Sequence, residues 1–177
     1  MKKKTLALVL ALTLLVAGVV GGTLAWLTDQ TAEVKNTFTV GDINIGLTET
    51  TADYKMVPGN TIAKDPTITV KANSEACWLF VKVTESTDLK DFITYAIAEG
   101  STALPGVDGV YYREVPASAA DQTFSVLAGD AVTVKSDVTR TMLETAKTNA
   151  PTLTFKAYAI QKDHFATADA AWAEVSK

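Results

Sequence analysis

The chain predicts an all-β fold, a β-sandwich with one or two short helices that follows an N-terminal signal peptide. Three observations carry this. Short runs alternate apolar and polar residues, the mark of strands whose side chains point to opposite faces in turn. Turn residues separate those runs at short intervals. Ahead of them stands a lysine cluster followed by a mostly apolar stretch, which has the form of an export signal.

Lys2, Lys3 and Lys4 form the positive start, and Leu6 to Val20 is apolar except for Thr13 and Gly18. Gly21-Gly22 breaks the run, and Thr23-Leu24-Ala25 offers small residues at the positions a signal peptidase reads. Cleavage is expected between Ala25 and Trp26, since the run is shorter than the roughly 20 residues of a spanning helix. The expected organisation is therefore a signal over 1–25, an N-terminal segment over 26–35 and a sandwich domain over 36–177. Cleavage removes three of the 16 basic residues and leaves 13 against 20 acidic ones, a net charge of −7. Such a chain repels nucleic acid and anionic surfaces, so membrane association is expected only before cleavage.

The strands follow in order. Ala32, Val34, Phe38 and Val40 share one parity, with Glu33, Lys35, Thr37 and Thr39 on the other, and Gly41-Asp42 is a turn. Ile43, Ile45 and Leu47 alternate next, Pro58-Gly59-Asn60 turns, and Ile68 and Val70 share a face. Ala72–Glu75 reads as a loop. Trp78 and Phe80 oppose Leu79, Val81 and Val83 in the next strand. Asp88 to Phe92 fits one helical turn, Tyr95 and Ile97 have strand spacing, and Val110–Val115 is a strand after the turn-rich 104–109. Thr123–Leu127 and Ala131–Val134 flank Gly129-Asp130 in a hairpin-like pattern. Met142–Lys147 is a candidate short helix, Leu153–Gln161 a strand, and the alanine-rich 166–175 a closing helix capped by Thr167. About seven to nine strands result.

Residues that carry chemistry are sparse. His164 is the sole histidine and Cys77 the sole cysteine. A zinc site takes three or four ligands from His, Cys and carboxylates, and only Asp163 and Asp169 lie near His164. Cys77, within Ala76–Phe80, reads as a small buried hydrophobe. No nucleophile elbow, phosphate loop or dinucleotide fingerprint occurs. No catalytic residue, metal ligand or cofactor is assigned. Trp26, Trp78, Trp172, Tyr111 and Tyr112 have the chemistry to stack on sugars, but aromatics in a sandwich more often fill the core. Tyr111 and Tyr112 retain the platform reading because consecutive strand residues face opposite ways.

Gly21–Asp29, running into Asn36-Thr37-Phe38-Thr39-Val40-Gly41-Asp42-Ile43-Asn44-Ile45, resembles the start of the TasA/camelysin family of secreted Gram-positive proteins. Pro58-Gly59, Lys64-Asp65-Pro66 and the strand at Ile68 are similar to that family's next elements. The resemblance implies a jelly-roll sandwich and processing by a SipW-type signal peptidase. It also implies fibres of the biofilm matrix, in which the mature N-terminal segment adds as a strand to the next subunit. The candidate donor here is Trp26, Leu27, Thr28, Asp29, Gln30, Thr31, Ala32, Glu33, Val34 and Lys35. The partner expected is a second copy or a related matrix protein. Two other readings remain: a camelysin-like cell-surface metalloprotease, and a module that binds cell wall or polysaccharide.

Overall fold

Residues 42–50 and 54–177 are described by a computed structural model, and all belong to the unit Val40–Lys177. The expected signal, the cleavage pair Ala25 and Trp26, the donor segment and the first expected strand lie outside the described residues.

Ten strands occur among the described residues: β1 (Ile45–Thr48), β2 (Thr61–Ala63), β3 (Thr67–Val70), β4 (Cys77–Glu85), β5 (Ile93–Thr94), β6 (Thr102–Ala103), β7 (Val110–Val115), β8 (Gln122–Ser125), β9 (Ala131–Val134) and β10 (Leu153–Gln161). The helices are α1 (Leu89–Phe92), α2 (Arg140–Ala146) and α3 (Ala168–Val175). The strands form three antiparallel sheets, ordered β1-β3-β8, β10-β4-β7-β6 and β2-β9-β5. The fold is all-β, as the alternation predicts.

Two sheets make the sandwich. Ile68 and Val70 from β3 pack against Cys77, Leu79, Val81 and Val83 from β4 and Val115 from β7. The opposite face of β4 is covered as well. Trp78 and Phe80 lie under α3, whose Ala168 and Ala171 are small enough to bring the helix close. Trp172 meets Phe80 at 5.3 Å and Tyr158 edge-on at 5.2 Å between ring centroids, and the Trp78 indole N–H donates to the Phe165 carbonyl at 3.0 Å. Thr167 caps α3 by accepting from the Ala170 N–H at 3.3 Å, as its position predicts. The third sheet carries its own core, in which Phe92, Val134 and Val138 pack with Ala146 of α2.

The hairpin-like pattern at Gly129-Asp130 does not make a hairpin. β8 pairs with β3, whereas β9 pairs with β2 and β5. Ala128–Asp130 forms a 3₁₀ turn with φ of 65° at Gly129 and 49° at Asp130, and the Lys64 N–H takes the Asp130 carbonyl at 2.7 Å. That bond directs the chain onto β2, in a different sheet. Turn chemistry between two alternating runs specifies a reversal, not which neighbour the second run will find. The strand expected around Tyr95 is shifted: β5 ends at Thr94, and Ile97 meets Leu127 only as an isolated bridge. Gly109 is required where it stands. Its φ is +70°, and an added Cβ would lie 2.4 Å from the Val83 carbonyl oxygen.

Candidate functional site

β10 is nine residues long and paired along its whole length with β4 on one side. The ends of that ladder give its phase. At one end, the Ser86 N–H donates to the Thr152 carbonyl and the Thr152 N–H to Ser86 Oγ, both at 2.9 Å. At the other, the Lys162 N–H donates to the Ala76 carbonyl at 2.9 Å. The register is unbroken between them, and antiparallel pairs alternate between bonded and non-bonded positions. Even-numbered residues of β10 therefore turn their backbone groups toward β4. Leu153, Phe155, Ala157, Ala159 and Gln161 turn theirs outward, and no backbone partner for these groups occurs among the described residues.

A bare edge is a template for another strand, and proteins normally blunt it with proline, bulges or charge. β10 has no proline, no bulge and one charged residue, Lys156. Its side chains are used on both faces: Leu153, Phe155, Ala157 and Ala159 pack on the sandwich core, and Tyr158 and Ile160 pack under α3. Alongside runs β1, the edge strand of the facing sheet. A crevice of about 290 Å³ lined by Leu47, Glu49, Pro66, Leu153 and Phe155 opens between the two edges.

One end of this seam is held by a cluster that the sequence reading did not single out as a site. Lys64 is 8% exposed. Its ammonium donates to Glu49 Oε1 at 2.6 Å and lies 4.7 Å from the Tyr54 ring centroid and 5.4 Å from that of Phe155. The Tyr54 hydroxyl donates to the same Glu49 oxygen at 2.6 Å. Burial, then the bond to Glu49, raises the Tyr54 phenol above its ordinary range. Asp65 accepts from the Thr50 N–H at 3.0 Å and from the Thr50 hydroxyl, and those bonds hold its carboxyl below the usual range. Together they tie the segment after β1 to the link between β2 and β3, beside the β10 edge. A lysine ahead of Asp-Pro carries no local sign of burial, because its carboxylate partner lies 15 residues earlier.

The remaining candidates are separated. His164 is exposed in a 3₁₀ turn after β10. Cys77 is fully buried in the sandwich core, as expected, and burial pushes its thiol pKa up to about 11. No group of three or more His, Cys, Asp and Glu side chains that fits a metal ion occurs among the described residues. Since the only histidine and the only cysteine are both described, a zinc ion would have to be held without their convergence. Among the described residues the donor set does not fit a catalytic zinc. Tyr111 and Tyr112 do face opposite ways, but both are packed. Tyr111 lies against the sandwich core and Tyr112 against Trp78 and Phe80, because α3 covers the second face. Each ring is half-buried, so neither face of β7 leaves its tyrosine wholly to solvent, contrary to the platform expected from the sequence. No helix among the described residues is long and apolar enough to cross a membrane.

A family model described as camelysin metallo-endopeptidase matches residues 1–90. No curated protein and no solved structure matches this chain.

Proposed function

The chain belongs to the camelysin family, also known as the TasA/camelysin family, and on that premise we propose that it is a secreted structural protein. It is a fibre-forming or accessory subunit of the extracellular biofilm matrix. It is released by a SipW-type signal peptidase that cuts between Ala25 and Trp26. The new N-terminal segment, Trp26–Lys35, then adds as a strand to a second copy or to a related matrix protein. Main-chain hydrogen bonds give such an addition its affinity and alternate side chains its register. Head-to-tail addition does not close, so it grows a filament.

The observation that supports this reading is the outer edge of β10, long, unbulged, free of proline and unpaired among the described residues. The membership itself supports a protein found outside the cell or on its surface. Before cleavage the donor segment is tethered to the membrane, which keeps growth from starting early.

The family's description as metallo-endopeptidases favours a second reading, a cell-surface metallo-endopeptidase. Against it stands the dispersal of zinc-type ligands described above. One preparation of mature protein separates the two. The structural reading expects fibres or oligomers by electron microscopy as concentration rises, with no casein cleavage and no stoichiometric zinc. One bound zinc per chain, with chelator-sensitive cleavage lost in His164→Ala, would establish the peptidase instead.

A further inference from the structure

At the α1 end of the sandwich an open cleft of about 620 Å³ is lined by Glu85, Lys90, Ile93, Tyr95, Tyr111 and Lys135, among others. Its size falls within the roughly 300–1,000 Å³ of small-molecule sites. We propose that this cleft binds an acidic saccharide, a sugar ring that bears a carboxylate.

The argument rests on which groups are already engaged. The Tyr95 hydroxyl donates to Glu85 Oε1, and the Lys90 ammonium lies 3.4 Å from Glu85 Oε2. Both oxygens of the one carboxylate in the cleft are thus occupied from within the protein. Lys135 is fixed differently. Its backbone N–H donates to the Phe92 carbonyl at 2.9 Å, while its ammonium makes no ion pair among the described residues. The cleft is therefore lined by two lysines against one glutamate, on a chain whose overall charge is negative. A ligand carboxylate is the complement that this surplus selects, and a charge-assisted bond to an ammonium is stronger than a neutral one.

The rest of the lining suits a sugar ring. Tyr95 and Tyr111, each half-buried with part of its ring on the sandwich core, line the cleft with aromatic edges and hydroxyls beside the aliphatic Ile93 and Ile97. A sugar offers the matching pattern, an apolar C–H face with a hydroxylated edge. The assignment stands apart from strand addition, since β10 does not line the cleft.

The test titrates mature protein with trigalacturonate and, in parallel, with the neutral maltotriose, followed by calorimetry or amide chemical shifts. The expected result is saturable binding of trigalacturonate that weakens as salt is raised. Lys135→Gln should weaken it about tenfold, the size of one lost charge-assisted bond. Lys147→Gln, whose ammonium is paired with Glu144 at 2.8 Å far along the chain, should leave it unchanged. No binding at about 10 mM ligand, equal affinity for maltotriose, or an unchanged affinity in Lys135→Gln would overturn the proposal. Thermal melts confirm that the glutamine variants are folded.

Discussion

Ala157→Pro puts the assembly edge to a direct test. The phase of the ladder turns the Ala157 N–H away from β4, so proline there removes a donor with no backbone partner among the described residues. Proline is tolerated at such edge positions, and the residue before it, Lys156, is already extended, as proline demands. The monomer should lose about 1–2 kcal/mol from the fixed φ and the larger ring against the core. That is a fall of about 3–6 °C in melting temperature for a chain of this size. Assembly should lose more. One outward hydrogen bond disappears, worth about 1 kcal/mol, and an incoming carbonyl is left unsatisfied, at about 1–3 kcal/mol. The sum of about 2–4 kcal/mol raises the concentration needed for assembly roughly 30- to 700-fold. Lys156→Pro is the contrast. Its N–H points into the ladder opposite Lys82, and its replacement should cost about 3 kcal/mol or more of monomer stability. Thermal circular dichroism and light scattering of both variants are sufficient. Fibres of Ala157→Pro at wild-type concentrations, or equal destabilisation by the two prolines, would refute the reasoning.

Glu49→Gln should destabilise the monomer by about 2–4 kcal/mol, because it leaves the buried Lys64 ammonium without its carboxylate. A double-mutant cycle with Lys64→Met in urea should return a coupling of about 1–3 kcal/mol, and additive losses would show that the pair is not coupled. Asp121 accepts from the Ala72 N–H at 2.8 Å and from the Lys71 ammonium at 3.0 Å, and these hold its carboxyl below the ordinary 3.8. Its contribution is therefore present above that pH and lost as the pH falls through the lowered folded value. Asp121→Asn should flatten this part of an acid-unfolding curve followed by tryptophan fluorescence, and the difference from wild type should shrink in high salt. Cys77, with its thiol pushed up to about 11 in a sealed core, should resist iodoacetamide at pH 8 in the folded protein and react at once in urea.

The parts of the fold legible in the sequence are those set by local pattern. β10 coincides with the run of alternation over Leu153–Gln161, and α3 begins just past the Thr167 cap that marked it. The burial of Cys77 followed from its apolar neighbours. What escaped depended on distant partners. β2 and β6 are three and two residues long, too short for any period to register. Both faces of β4 are buried, yet nothing in Cys77–Glu85 says that a helix nearly 90 residues later will cover Trp78 and Phe80. The same helix covers Tyr112, whereas Tyr111 packs on the sandwich core from the other face. The bare edge, too, is a property of the assembled sheet. A strand's sequence reveals its two faces, whereas its edges are decided by which strands fail to arrive.

Assembly through the new N-terminus is the central claim, and its most direct measurement compares the chain over 26–177 with the chain over 36–177. Both are followed by sedimentation and electron microscopy at neutral pH and in mild acid, where protonation of carboxylates reduces the repulsion of a −7 charge. The account predicts that the longer form builds filaments as concentration or acidity rises. The shorter form should remain a folded, soluble monomer under the same conditions. A longer form that stays monomeric throughout, or a shorter form that builds filaments equally well, would contradict it.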